Sequence, residues 1–180
     1  MRTLVLGGIR SGKSRWAEGA VTHGAGDGAP VRYLATGPAG DSDPAWAHRV
    51  GIHQARRPAH WRTVETCDLV AALTAGPHAP NAATLVDDIG GWLTATMDRL
   101  GAWTGGSVGP EVDALVRAVD AFTAPLVLVS PEVGLTVVPA TEAGRRFADE
   151  LGTVNQRLAA VCDRVVLVVA GQPLTVKEPS

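Results

Sequence analysis

Short apolar runs rich in valine and leucine recur along this chain of 180 residues. Arg2–Leu6, Val31–Ala35, Thr84–Ile89, Pro125–Ser130 and Arg164–Ala170 are nearly continuous rather than alternating. That is the pattern of strands buried on both faces of a parallel sheet. Between them, helical patterns cover Lys13 to about Thr22, Asp43 to about Arg57, Gly91 to Leu100, Pro110 to Phe122 and Thr141 to Asp163. In the last of these, Phe147, Leu151, Val154, Leu158 and Val161 fall at spacings of three and four and make one apolar stripe. Strand and helix in alternation predict an α/β fold with helices on both faces. Leu174–Lys177 is expected to turn back as a short antiparallel hairpin strand, and Gly24–Pro30, Pro38–Pro44 and Gly101–Pro110 to be loops. No repeat or linker divides the chain, so residues 1–180 are expected to form a single domain.

Composition narrows the partners. A net charge of −2 with 46% hydrophobic residues predicts a soluble globular protein, and the lack of a broad basic face argues against nucleic acid. The apolar run at the N-terminus is too short for a signal peptide, and nothing approaches the roughly 20 apolar residues of a membrane span. A cytoplasmic location is therefore expected. Cys67 and Cys162 are isolated and read as inert thiols.

Only two of the sixteen basic residues are lysines, Lys13 and Lys177. The first completes Gly7-Gly8-Ile9-Arg10-Ser11-Gly12-Lys13-Ser14, a fit to G-x-x-x-x-G-K-S/T with a strand before it and an amphipathic helix after it. The glycines let backbone N–H groups face phosphate oxygens, Lys13 adds a point charge, and the Ser14 hydroxyl can ligate Mg²⁺. The positive end of the following helix adds to the same field. A partner acid is expected at the end of a neighbouring strand, and Thr84-Leu85-Val86-Asp87-Asp88 supplies two. One reading makes Asp87 a ligand in the Mg²⁺ shell, and the other makes the acid a helix cap. With two acids present, both can hold.

From His48 to Thr66 the chain gathers three of its five histidines (His48, His53 and His60) and four arginines within nineteen residues. The plain reading is a solvated helix running into a strand. The sharper one is a phosphate-handling surface, with arginines gripping oxygens in bidentate fashion and a neutral imidazole as nucleophile. A histidine metal site is the weaker option, because spacings of five and seven do not share a helical face.

Taken in order, the motifs resemble one family. They are GGIRSGKS, then R-V-x-x-H-x-x-x-R-P-x-H-W-R-T-x-E, then L-V-D-D, V-S-P-E-V-G-x-x-V-V-P, V-N-Q-R-L-A and V-V-L-V-V-A-G, and the resemblance they carry covers residues 2 to 177. They resemble the bifunctional adenosylcobinamide kinase/adenosylcobinamide-phosphate guanylyltransferase family. The resemblance implies a P-loop NTPase of the RecA-like kind, mostly parallel, with a C-terminal antiparallel hairpin strand. It implies phosphorylation of adenosylcobinamide by ATP or GTP, then transfer of GMP from GTP to adenosylcobinamide phosphate through a GMP–histidine intermediate. In the family pattern the nucleophile follows an arginine by four residues and precedes an Arg-Pro by four, which here selects His53. Nucleotide contacts then fall on Gly7 to Ser14 (Gly7, Gly8, Ile9, Arg10, Ser11, Gly12, Lys13, Ser14). Others fall on Ala35, Thr36, Gly37, Gln54, Ala55, Arg56, Arg57, Glu65 and Asp87, with Mg²⁺ on Ser14 and Asp87. His60 is given a supporting role, and a homotrimer is expected. Asp88, Gly90, Gly91, Ala95 and Pro131 depart from the family pattern, all near strand ends. On the residues alone, two other functions stay open: a P-loop kinase of another small metabolite, and a non-catalytic nucleotide-binding module.

Overall fold

In the computed structural model, residues 1–37, 57–74 and 82–179 are described. The elements in order are β1 (Arg2–Gly7), α1 (Lys13–Ala25), β2 (Val31–Ala35), β3 (Arg62–Glu65), α2 (Leu69–Thr74) and β4 (Ala83–Asp87). They are followed by α3 (Ile89–Leu100), α4 (Gly109–Asp120), β5 (Leu126–Pro131), α5 (Glu142–Val161), β6 (Arg164–Val169) and β7 (Gln172–Lys177). The strands form one seven-stranded sheet in the order β3-β2-β4-β5-β1-β6-β7. Every pairing is parallel except that of β6 with β7.

The continuous apolar runs are explained by two cores, one on each face. Successive side chains along a strand point to opposite faces, so a strand covered on both sides needs apolar residues at every position. Leu4 packs with Leu34, Val86 and Leu128 under the helices from α2 to α5, whereas its neighbour Val5 packs with Tyr33, Leu85 and Val129 under α1. The stripe of α5 enters the first core through Leu151, Val154 and Leu158, all fully buried, and Thr141 caps the helix by accepting from the Gly144 N–H.

The boundaries shift for local reasons. β4 stops at Asp87, short of the expected Ile89, because Asp88 is already the cap of α3. α1 runs on to Ala25, into the expected loop, until Gly26 at φ 90 ends it. β7 begins at Gln172, two residues before the expected Leu174, because the hairpin turns on Ala170 and Gly171, both at positive φ. β6 accordingly ends at Val169. α2 was not foreseen; the Asp68 carboxylate accepts from the Ala71 N–H at 2.9 Å at its start. The expected helix from Asp43 to about Arg57 and the expected loop Pro38–Pro44 lie outside the described residues, Arg57 apart. Among the described residues no helix is long and apolar enough to cross a membrane.

Candidate functional site

The phosphate-loop motif leaves β1 at Gly7, where no side chain fits. A Cβ there would lie 2.4 Å from Ser11 Oγ and 2.8 Å from the Val168 carbonyl oxygen. The Ser11 N–H turns back to the Gly8 carbonyl at 3.2 Å, and Gly12, at φ 94, delivers the chain into α1. Gly12 also backs onto the β6–β7 turn: a Cβ would stand 3.2 Å from Gly171 Cα, and the Gly171 N–H donates to Ser11 O at 2.7 Å. The hairpin therefore braces the loop from outside. Gly12 has no side chain to cap α1; in the first turn the Lys13 N–H donates to Ser11 Oγ at 3.3 Å and the Trp16 N–H to Gly12 O at 3.0 Å, while those of Ser14 and Arg15 lie at the positive end of the helix, where an anion is favoured. Lys13 folds back over the loop, with Nζ 3.3 Å from the Gly8 carbonyl oxygen. Arg10 and Ile9 are exposed, Ile9 to 94%.

The acids meet this loop because of the strand order. One strand, β5, separates β1 from β4, and Asp87 ends β4 at the carboxyl edge of the sheet. Register alone places Glu65, Ala35 and Asp87 in a row along β3, β2 and β4, at the edge where open α/β sheets bind ligands. Asp87 Oδ1 lies 3.4 Å from Ser14 Oγ, while its Oδ2 accepts a hydrogen bond from the Tyr33 hydroxyl. Burial first, then the charge of Asp87, holds the Tyr33 phenol far above its usual range, so it remains a donor.

Asp88 does a different job. Its carboxylate accepts from the Gly91 N–H at 2.7 Å and caps α3. Its backbone is clasped by Thr36, whose hydroxyl donates to Asp88 O and accepts from the Asp88 N–H at 3.0 Å. The Thr36 hydroxyl is thus committed inside the protein. Burial, and next the charge of Asp87, raise the Asp88 carboxyl above the ordinary aspartate range, against the pull of the Gly91 and Gly90 N–H groups and Lys13.

Two departures from the family pattern become intelligible here. A Cβ at Gly90 would come 3.0 Å from Cγ of Pro131, and one at Gly91 would come 2.9 Å from Thr36 Oγ1. Gly90 makes room for the proline ring, and Gly91 for the clasp. Pro131 has no N–H, but its carbonyl accepts from Asn155 Nδ2 at 3.0 Å, and the Ser130 hydroxyl donates to Asn155 Oδ1 at 2.6 Å. Asn155, a buried polar residue in an apolar helix face, thereby fixes the end of β5 beside the loop.

Of the histidine segment, His48, His53, Gln54, Ala55 and Arg56 lie outside the described residues. Arg57 is described: its guanidinium lies 3.4 Å from the centre of the Tyr33 ring, and Nη1 donates to Thr63 Oγ1 at 3.0 Å. Trp61 packs on the same tyrosine at 6.3 Å, whereas His60 and Glu65 are exposed and Gly37 is half-buried. The sequence motifs give Tyr33 and Asn155 no role. The signal for the first was a lone tyrosine in a valine- and leucine-rich strand. A groove of about 1030 Å³ also flanks α1, lined by Arg10, Arg15, Trp16, His23 and Arg164 among others. Neither aspartate lines it, so hydrogen-bond geometry, rather than cavity size, locates the chemistry.

Residues 3–176 match the family described as cobinamide kinase / cobinamide phosphate guanyltransferase. The bifunctional adenosylcobalamin biosynthesis protein CobP of Pseudomonas aeruginosa is 41% identical, over 98% of this chain and 98% of that protein. CobU of Salmonella typhimurium, with the same description, is 38% identical over 98% of this chain and 100% of that protein. Among solved structures, the P4 protein from bacteriophage phi6 in complex with ADP aligns with 96% of this chain and 52% of that one, at 18% identity and a TM-score of 0.46.

Proposed function

Because the chain belongs to the cobinamide kinase / cobinamide phosphate guanyltransferase family, enzymes of adenosylcobalamin biosynthesis, we propose how its residues divide two reactions between them. In the first, the hydroxyl of the aminopropanol arm of adenosylcobinamide attacks the γ-phosphorus of ATP or GTP, and the nucleoside diphosphate leaves. In the second, an imidazole nitrogen of His53 attacks the α-phosphorus of GTP. The bond to the β-phosphate breaks and pyrophosphate leaves. A phosphate oxygen of adenosylcobinamide phosphate then displaces the histidine, giving adenosylcobinamide-GDP. One domain, residues 1–180, carries both.

The observation that carries the reading is the meeting of Ser14 with Asp87 at the mouth of a phosphate loop. The loop amides and Lys13 hold the β- and γ-phosphates, which are the transferable end in one reaction and the leaving group in the other. Ser14 Oγ and Asp87 Oδ1 are hard oxygens, the donor type Mg²⁺ takes beside phosphate and water oxygens. Bound there, Mg²⁺ would neutralise charge building on the departing phosphates. Ala35, Gly37, Gln54, Ala55, Arg56, Arg57 and Glu65 complete the nucleotide contacts, whereas Thr36, expected among them, is buried and committed to Asp88, and supports the site from behind. The arginines around His53 serve twice, gripping phosphate and keeping the imidazole neutral for attack.

The enzyme works in the cytoplasm as a homotrimer. Supporting assembly, Leu174 and Val176 on edge strand β7 and Leu135, Val137 and Val138 after β5 are exposed apolar residues. A monomer in analytical sedimentation would contradict the trimer. The chemistry is tested with α-labelled GTP and Mg²⁺. Label should stay on the denatured wild-type protein, be lost in acid, and be absent from His53→Asn. Unlabelled wild-type protein would sink the covalent route.

A further inference from the structure

The carboxylate of Asp87 has two oxygens, and the structure gives them different neighbours. Oδ1 lies 3.4 Å from Ser14 Oγ, and Oδ2 takes the Tyr33 hydroxyl. The strand register explains how tyrosine reaches that far. Tyr33 stands opposite Leu85 and Ala35 opposite Asp87, so Tyr33 and Asp87 are diagonal neighbours on one face of adjacent strands. A phenol spans that diagonal, whereas the valines and leucines of the other strands would not.

The ring itself is held. Tyr33 is 2% exposed, Trp61 packs on it at 6.3 Å, and the Arg57 guanidinium lies 3.4 Å from its centroid. Nothing about the core demands the hydroxyl, because phenylalanine would fill the same space. Yet the hydroxyl is spent on Asp87, the acid that meets Ser14 of the phosphate loop. A carboxylate at a strand end can swivel about its last torsion, since terminal sp³–sp² torsions are broad. Anchoring Oδ2 removes that freedom and leaves Oδ1 turned towards Ser14.

We propose that Tyr33 is a positioning residue, which fixes the Asp87 carboxylate so that its Oδ1 and Ser14 Oγ receive the divalent cation bound with the nucleotide. The proposal rests on the reading of Ser14 and Asp87 given above. Tyr33 touches neither phosphate nor cation in this scheme and acts only through Asp87. Its contribution should therefore appear in the cation dependence of nucleotide binding and not in nucleotide binding itself.

Tyr33→Phe separates the hydroxyl from the ring, keeping the Arg57 and Trp61 contacts. The test measures GTP affinity by calorimetry for the wild type and the variant, without Mg²⁺ and across a Mg²⁺ titration, alongside thermal melting. The expected result is Mg²⁺-free affinity within about twofold of wild type, while the half-saturating Mg²⁺ concentration rises about tenfold, the size of one hydrogen bond to a charged group. An unchanged Mg²⁺ dependence in the variant, with the wild type Mg²⁺-responsive, overturns the positioning role alone. Equal loss of affinity with and without Mg²⁺ overturns it too, since a structural defect would act on both. A wild type whose GTP affinity ignores Mg²⁺ removes the cation reading and this proposal with it.

Discussion

The two ends of the sheet use aspartate in opposite ways. At the amino end, Arg2 clasps two acids: its N–H and Nη2 donate to Asp163 at 2.6 and 2.9 Å, and Nη1 donates to Asp120 Oδ1 at 2.7 Å. The Arg2 hydrogen bond holds the Asp163 carboxyl below the ordinary aspartate range. At the carboxyl end, the hydrogen-bond partners described for Asp87 are Ser14 and Tyr33, both neutral, and burial pushes Asp88 upward. The first arrangement ties β1 to the elements around it. The second keeps the Asp87 carboxylate among neutral hydrogen-bond partners beside the phosphate loop, with Lys13 acting on Asp88 through its charge alone, and stabilises the fold less.

The largest break in this comparison comes from Lys13→Ala. Lys13 carries the charge nearest the proposed β- and γ-phosphates, so both kinase and guanylyl-transfer rates should fall at least about a hundredfold. Melting should hardly move, because its described hydrogen bond is a 3.3 Å contact to Gly8. Loss of one rate without the other would mean that the two reactions do not share the loop. Arg2→Ala should do the reverse. It should cost about 1–2 kcal/mol of stability in denaturant titration, a modest figure because Asp120 is largely exposed. GTP affinity should be unchanged, and a weakened affinity would mean that the ends are coupled.

The smallest effect is in acid. Asp163 has its pKa depressed on folding, so its contribution is present above the ordinary aspartate value and is lost as pH falls through the lower folded value. Arg2→Ala removes that increment beforehand, so its stability should fall less steeply below roughly pH 4 than that of wild type. Asp88 has the opposite sign: its raised pKa gives stability when protonated, which is lost as pH rises through the folded value. Asp88→Asn keeps a capping side chain and should remove that component; an unchanged pH profile would contradict the assignment.

How much of this was legible in the residues depended on what kind of interaction was involved. The strands could be read because burial on both faces leaves an unbroken apolar run, as in Leu4 and Val5. The phosphate loop could be read because its glycines answer a steric demand, seen at Gly7 and Gly12. The two-acid ambiguity at the end of β4 resolves into two roles, with Asp87 facing Ser14 and Asp88 capping α3. What stayed hidden were contacts between distant segments. Tyr33 reaches Asp87 across 54 positions of sequence, and Asn155 reaches Ser130 and Pro131 from another element. Neither leaves a periodic trace, since each depends on strand order rather than on local spacing. Helix α2 escaped because six residues are too few to show a period. The match of Gly90 to Pro131 was likewise visible only as two separate oddities.

The central claim is that one phosphate loop serves two group transfers, the second releasing pyrophosphate. It is tested most directly by giving the purified protein GTP, Mg²⁺ and adenosylcobinamide phosphate and counting the products. The account predicts adenosylcobinamide-GDP and pyrophosphate in equal amounts. Adenosylcobinamide phosphate left unchanged, with no pyrophosphate released, would contradict it and leave a plain kinase.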